Sequence, residues 1–562
     1  MPRFAQLICL LAACCVSSFL VAIPIASAGV VPGGVVDGPN PDILAVGGVA
    51  LGPDATGGVV YVRNDQGAAH IFVASLTAGV WSAPQRLDGG LIAPSSQPVI
   101  AAASNGRLAV AFLNAGTLYG VVRTQTSAPF GGPQPISVAL SDPAIAMGLS
   151  GAAYVSWTAP HGNGTDVDVA RLDRTSATFA PFPAPLSASP ALLPGKGGVA
   201  RSRVAVSADG TGLISWAENN PDGKSHVLVK RVFGGGASAA PIDLTLGALD
   251  GHGGGSADSA VVGLQDDSSY GWASFREIFD NGGGVPVERV VLRPLLGDQP
   301  QAAQGVDGLS FPASEGAEAP SISIDALGDG LVAAQLQSSH QVIGAGSAGS
   351  AFTPGQRLNA GNYALAPMPA TAISRDGTGI VAFAADLGSI RGKLYDGGTP
   401  GDEVQLSRNE FGQVDPQQGL SAAADDGGDV IVGYLQGDPA NHRVAVADVV
   451  TPPVKFKGLT SQKPIARTRP TLSWEPAKDS WSAVSYTVTL DGRTIGRTKA
   501  TRLHVPARLK RGTHRWQVSA VDSLGQTTRA PTRVLRIGSK QAKSGHPKSG
   551  AKRKSKRAAS KH

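Results

Sequence analysis

The stretch RVAVSADGTGLISWAEN, residues 203–219, consists of two extended apolar runs folded about an Asp-Gly turn and closing near an aromatic residue. The small and β-branched residues of both runs suit strands covered on both faces, and Asp209-Gly210 is a tight-turn signal. The pattern returns as PVIAAASNGRLAVAFLN (98–114), PAIAMGLSGAAYVSWTA (143–159), PATAISRDGTGIVAFAAD (369–386) and GLSAAADDGGDVIVGYLQ (419–436). Looser copies occupy Leu44–Asn64, Ser259–Arg276 and Pro320–Ser338. A third extended run follows each pair, for example Ala69–Leu76, His226–Phe233 and His442–Val450. A weaker fourth comes next, as in QRLDGG (85–90), PIDLTL (241–246) and VQLSRN (404–409).

Four short strands recurring about every 45–60 residues imply an all-β fold of the β-propeller type over residues 29–450. Eight blades are preferred, with seven as the count if the irregular first copy is not a blade. The eighth copy has only three runs, and Val30–Val36 is placed to supply its outer strand, since a ring must close to avoid exposed edges. The recurring aromatics Phe112, Trp157, Trp216, Phe383 and Tyr434, with Trp272 or Phe275 in the fifth copy, read as packing between blades rather than a stacking array.

Residues 4–28 carry no charge and end in Ala26-Ser27-Ala28 just after Pro24. This is the pattern of a signal peptide cleaved after Ala28, which predicts a secreted or cell-surface protein. All three cysteines (Cys9, Cys14, Cys15) lie in this segment, so the expected mature chain has no disulfide, thiolate metal site or cysteine nucleophile. It also has no further apolar run long enough to span a membrane.

The formal net charge of +6 conceals an asymmetry. Residues 29–450 hold 21 Lys and Arg against 38 Asp and Glu, and residues 451–539 hold 17 against 4. Residues 540–562 hold nine basic residues and no acidic one. That tail lacks large apolar side chains and reads as disordered. Its Lys552, Arg553, Lys554, Lys556 and Arg557 are the expected electrostatic tether to an anionic cell-surface polymer. A nuclear or other intracellular nucleic-acid role conflicts with the signal segment.

After Thr451-Pro452-Pro453 the period is lost. Trp474, the hairpin SYTVTLDGRTIG (485–496) and the run GTHRWQVSAVD (512–522) follow in residues 451–539. This portion resembles the fibronectin type III family and its immunoglobulin-like relatives, and the whole chain resembles secreted bacterial-type propeller repeat proteins. The resemblance implies a β-sandwich with Trp474 buried on an early strand and Trp516 on a late one. His514 stands where that family usually has its tyrosine-corner Tyr.

Signals of chemistry are few. Ser207–Gly212 and Ser374–Gly379 resemble sialidase Asp-boxes only superficially, because Gly follows the Asp directly and the aromatic comes too late. The ten histidines show no HExxH spacing, no DxDxDG loop is present, and the Gly-rich stretches open no helix. No catalytic residue, metal ligand or cofactor is therefore assigned. The candidate ligand-binding residues are His161, Glu218, Asp222, Glu277, Asp280, Asp438 and His442, on the loops joining second and third strands, although hydrophilic loops are ordinarily just solvated. The sequence thus favours a secreted, non-catalytic binding or scaffolding protein. It would display an acidic propeller, with a glycan or protein ligand, from an anionic surface. The alternative is a carbohydrate-active propeller enzyme, a glycoside hydrolase or lyase, with an accessory sandwich.

Overall fold

A computed structural model describes residues 28–538, except 163, 188–201, 239, 248, 250–254, 281–283, 285, 307–314, 350, 360–367, 386–387, 461–464 and 467. The expected signal segment up to residue 27 and the tail bearing Lys552, Arg553, Lys554, Lys556 and Arg557 lie outside the described residues. Within them no helix is long and apolar enough to cross a membrane.

Residues 203–219 form an antiparallel pair, Arg203–Val206 with Gly212–Asn219, in register from Arg203↔Ser215 to Val206↔Gly212. The third strand, Ser225–Phe233, pairs with the second and carries two short outer strands, Gly236–Ala237 and Ile242–Asp243. Eight sheets of this kind occur among the described residues. Their innermost strands are Ile43–Leu51, Ser95–Ala103, Ser141–Met147, Arg203–Val206, Ser256–Leu264, Ala317–Ile324, Ala370–Ile373 and Leu420–Ala424. Each packs against the next, and the last against the first, so the sheets close into a ring. The chain is all-β with a propeller architecture, and the sheets are numbered blades 1 to 8 in that order.

Blade 8 is completed by the N-terminal strand Gly29–Asp37, which runs antiparallel to Arg443–Val450 with Val30 opposite Val449. The segment expected to supply the outer strand does so, and the closure covers an edge that would otherwise expose unpaired N–H and C=O groups. The fourth strands are shorter than the sequence pattern suggests. In blades 1, 4, 5 and 6 they shrink to two-residue pieces such as Gln85–Arg86 and Gln356–Arg357.

The turns between first and second strands are of two kinds. At Asn105-Gly106 both residues are left-handed, with φ of 62° and 71°. At Asp209-Gly210 and Asp376-Gly377 only the glycine is (φ 88° and 85°), and the Asp carboxylate instead accepts the N–H two residues on, at Thr211 (2.8 Å) and Thr378 (2.9 Å). These are Asx turns, so at these two sites the Asp serves as a side-chain cap and not as a second positive-φ residue. The aromatics pack between blades. Phe112, Trp157, Trp216, Phe275, Phe383 and Tyr434 are all 0% exposed, and Trp157 lies in one cluster with Ala111 and Leu113 of the preceding blade.

Beyond the ring, Thr471–Ser473 pairs with Arg502–His504. A larger sheet runs Arg493–Thr498, Ser485–Leu490, Gly512–Val521, with Thr527–Arg529 and Arg533–Ile537 both on the last of these. Between the two sheets lie Leu472, Trp474, Tyr486, Val488, Trp516, Val518 and Leu535. The Asp491-Gly492 hairpin has φ of 49° and 79°, the two-residue type I′ geometry that matches strand twist. His514 Nε2 is 2.9 Å from the Lys510 carbonyl and its Nδ1 is 2.6 Å from Asp491 Oδ2.

Candidate functional site at the channel mouth

The upper face is the one on which each innermost strand begins and the loops between second and third strands lie. Just below it, the innermost strands break register at Ser96/Val99, Ser141/Ala144, Asp258/Val261 and Glu318/Ser321. Each break holds a left-handed non-glycine residue: Gln97 (φ 50°), Asp142 (59°), Ser259 (56°) and Ala319 (49°). Met368 (44°) occupies the matching place in blade 7. Four of the five precede a proline (Pro98, Pro143, Pro320, Pro369), although a following proline restricts the residue before it towards extended conformations. Bulges of this kind re-aim side chains at barrel rims, and strained non-glycine backbone clusters at ligand sites.

These residues, with Arg203, Gln417 and Gln418, line a central cavity of about 820 Å³. Prolines and Met368 give the wall apolar patches, and Gln97, Asp142, Arg203 and the blade 8 glutamines give it polar ones. The Gln97 side-chain oxygen accepts the Asp142 N–H at 2.8 Å and so ties the rims of blades 2 and 3 together.

Beside the cavity, blades 5 and 6 build a charged network. Arg276 donates to both oxygens of Asp258 (2.8 and 2.7 Å), to Glu288 Oε2 (3.1 Å) and to Glu318 Oε2 (3.5 Å). Its pKa is pushed up, first by the hydrogen bonds to Asp258. Gln337 Nε2 donates to Glu288 Oε2 at 2.7 Å and to Glu318 Oε2 at 3.1 Å. That shared donor holds the two carboxylates within about 6 Å, near the spacing at which paired carboxyl groups perform acid–base or nucleophilic work on glycosides. Gln335 Nε2 reaches Glu318 Oε1 (2.9 Å), and its Oε1 accepts the Met368 N–H (3.2 Å). Asp258 and Glu318 immediately precede the bulge residues Ser259 and Ala319, so the network and the cavity wall are continuous.

The seven residues expected on loops do not form one site, and four of them lie on strands instead. His161 and Asp280 end second strands and Glu218 and Glu277 lie inside them, because the second strands run on further than the sequence pattern implies. His161, Glu218 and Asp222 belong to a second group, at the seam of blades 3 and 4. His161 Nδ1 is 2.7 Å from Asp166, and His226 stands between Asp243 (2.6 Å) and Asp222 (3.0 Å). Burial would lower the His226 pKa, but its two carboxylate partners outweigh it and raise the value. Glu218 is 8% exposed, and its pKa is raised by burial even though Trp216 Nε1 donates to it at 2.8 Å. Glu277 is fully buried and accepts the Leu249 N–H, and Asp280 accepts the Gly284 N–H. Asp438 caps its own turn through Ala440, and His442 Nδ1 lies 2.8 Å from the Ile43 carbonyl. The last two residues belong to blade 8, separated from blades 3 to 5 around the ring. Sequence reasoning missed Asp258, Arg276, Glu288 and Glu318 because it searched loops, whereas these residues are on strands. Among the described residues no three His, Cys, Asp or Glu are arranged to hold a metal ion.

No protein family and no curated protein matches the chain. Several solved structures show a partial likeness to it. A protein of unknown function from Dyadobacter fermentans is 13% identical with a TM-score of 0.38, over 75% of this chain and 99% of that one. An α-L-arabinanase from Penicillium chrysogenum, complexed with arabinobiose, is 13% identical with a TM-score of 0.34, over 55% and 92%. The Dos1 propeller is 9% identical with a TM-score of 0.45, over 74% and 95%. The likeness is one of fold alone.

Proposed function

We propose that the propeller binds a polyhydroxylated, glycan-like ligand at the channel mouth, in a secreted protein displayed from an anionic surface by its basic C-terminal part. The observation that carries this reading is the Arg276 network beside a cavity rimmed by strained bulges. Hydroxyl groups both donate and accept, and a sugar is matched by fixed carboxylates and amides interleaved with flat apolar patches. Arg276, Gln335 and Gln337 hold Asp258, Glu288 and Glu318 in set orientations, so little side-chain ordering remains to oppose binding. Secretion is supported by the uncharged segment ending at Ala28, and display by the excess of Lys and Arg after residue 450.

A second reading, glycoside cleavage, is favoured by one observation: Glu288 and Glu318 share the Gln337 nitrogen. Affinity electrophoresis against neutral polysaccharides, run beside a reducing-end assay, tests both. Binding is expected to weaken about tenfold or more in Glu318→Gln. Release of reducing ends, abolished by Glu288→Gln, would establish the hydrolase reading instead. Retardation by none of the polysaccharides, with no turnover, would overturn both.

A further inference from the structure

The C-terminal sandwich presents one sheet face to solvent. Tyr486, Val488, Trp516, Val518 and Leu535 turn inward, and the alternate residues face out. Across that outer face one row reads Arg497, Thr487, Ser519, Arg529, each opposite the next on adjacent strands. Further along the same face lie Arg515, opposite Val534, and Arg536, opposite Thr513. All four arginines are exposed with the propeller in place. Among the described residues none of the four has an ion-pair partner. The ion pairs of the sandwich are Lys457–Glu475 and His514–Asp491, and the Asp491 carboxylate is already held by His514 and the Arg515 N–H.

We infer that this face is a docking surface for a linear polymer of repeating phosphodiesters, bound by the four guanidinium groups and the hydroxyls between them. The inference rests on the display reading above and deepens it by moving the contact from the tail to a folded surface. Three strand spacings separate Arg497 from Arg529, about 14 Å. A flexible chain laid across the face therefore meets cations at both margins and Thr and Ser donors between them. All four cations are arginine, whose planar fork matches phosphate oxygens bidentately, whereas lysine would offer only a point charge. Among the described residues the strands of this face carry no exposed large apolar side chain, so it has no anchor for a bilayer.

The test uses the full chain and immobilised poly(glycerol phosphate) at low salt. Three forms are compared: wild type, the fourfold variant Arg497→Gln/Arg515→Gln/Arg529→Gln/Arg536→Gln, and a chain lacking residues 540–562. The fourfold variant should bind at least about tenfold more weakly and lose affinity less steeply as salt rises. Thermal melting confirms that it folds, since exposed arginines contribute little to stability. A version with lysine at all four positions keeps the charge and should recover only part of the binding. Fourfold-variant binding within about twofold of wild type would overturn the inference. If deletion of 540–562 alone abolishes binding, display survives and the sheet face is not its agent. Equal binding of wild type to polygalacturonate, or tighter binding to phosphatidylglycerol vesicles, would overturn the assignment to a phosphodiester polymer. If no form binds any anionic probe, the display reading falls as well.

Discussion

Ser480 of the sandwich donates its hydroxyl to Asp429 Oδ2 of blade 8 at 2.9 Å, and this bond sits among carboxylates that both units bury at their junction. Asp425 and Asp429 are 3% and 2% exposed. Asp448, on the third strand of the same blade, feels the charge of Asp429, as does Asp479 of the sandwich. One oxygen each of Asp425, Asp448, Asp479 and Asp522 is buried without a hydrogen-bond partner. Among the described residues none of these carboxylates has a basic partner.

The first prediction concerns pH. Burial pushes Asp425 up to about 7, with Asp429 adding to the effect, and burial beside Asp429 does the same to Asp448. The folded state keeps protons that the unfolded chain releases near pH 4. Their stabilisation is therefore complete below about pH 4 and is lost as pH rises through about 7. The melting temperature should fall between pH 5 and pH 7.5, and Asp448→Asn should flatten the decline. A variant that declines as steeply as wild type would contradict this account.

The second prediction concerns the same junction from its apolar side. Trp481 of the sandwich is 4% exposed and packs in the cluster of blades 1 and 8 with Leu76, Trp81 and Val450. Gly79 makes room for it: at φ +70°, a Cβ there would lie 2.9 Å from Trp481 Nε1. Trp481→Ala should cost about 3–5 kcal/mol, as removal of a buried Trp does. Calorimetry should then show the sandwich melting apart from the ring, with new protease cleavage near Thr451-Pro452-Pro453. Gly79→Ala should act in the same direction by less. A single unchanged transition in both variants would refute it.

The ring was legible in the sequence because its signals are local. An Asp-Gly turn such as 209–210 lies between two apolar runs that pair within a few residues. The candidate site was not legible, because its geometry is set between strands. Asp258 and Glu318 come together from positions 60 residues apart, and they are placed by bulges at Ser259 and Ala319. Serine and alanine carry no compositional sign of a left-handed backbone, as glycine would. Arg276 and Glu288 lie inside extended runs, where a charged residue ordinarily reads as a solvated face. Their roles follow only from the register, which sets Arg276 directly opposite Asp258 and places Glu288 opposite Ile278, two residues along the same strand.

The third prediction tests how the ring is fastened. Asp37, ending the N-terminal strand, accepts from Tyr61 Oη at 2.5 Å and from Arg63 Nη1 at 2.7 Å, joining the seam of blades 8 and 1. Tyr61 is 0% exposed, and burial pushes its pKa well above the usual tyrosine range. Asp37→Ala leaves a buried hydroxyl and a part-buried guanidinium without their acceptor, a loss of about 2–4 kcal/mol. Urea unfolding should show it as a lower midpoint at constant slope. Deleting residues 29–37 removes the whole ladder with Arg443–Val450 and should yield aggregate on size exclusion. A monomeric, cooperatively folding deletion would disprove the fastening role.

The fourth prediction concerns His514, which bridges Asp491 and the Lys510 carbonyl with a group that titrates. Both ring nitrogens face acceptors, Asp491 Oδ2 and the Lys510 carbonyl, so both act as donors only in the imidazolium. The bond to Asp491 raises the His514 pKa, and the Lys510 carbonyl adds to it. A raised histidine stabilises fully below its unfolded value of about 6.5, and that contribution is lost as pH rises through the folded value. The melting difference between wild type and His514→Ala should therefore be larger at pH 5.5 than at pH 8.5. His514→Tyr, which restores the bond to Lys510 without a titrating ring, should make the sandwich less dependent on pH across that interval. Titration of the His514 ring by nuclear magnetic resonance should give a midpoint above 6.5. A midpoint at or below that value, or a melting difference equal at both pH values, would show that the neutral ring makes these contacts.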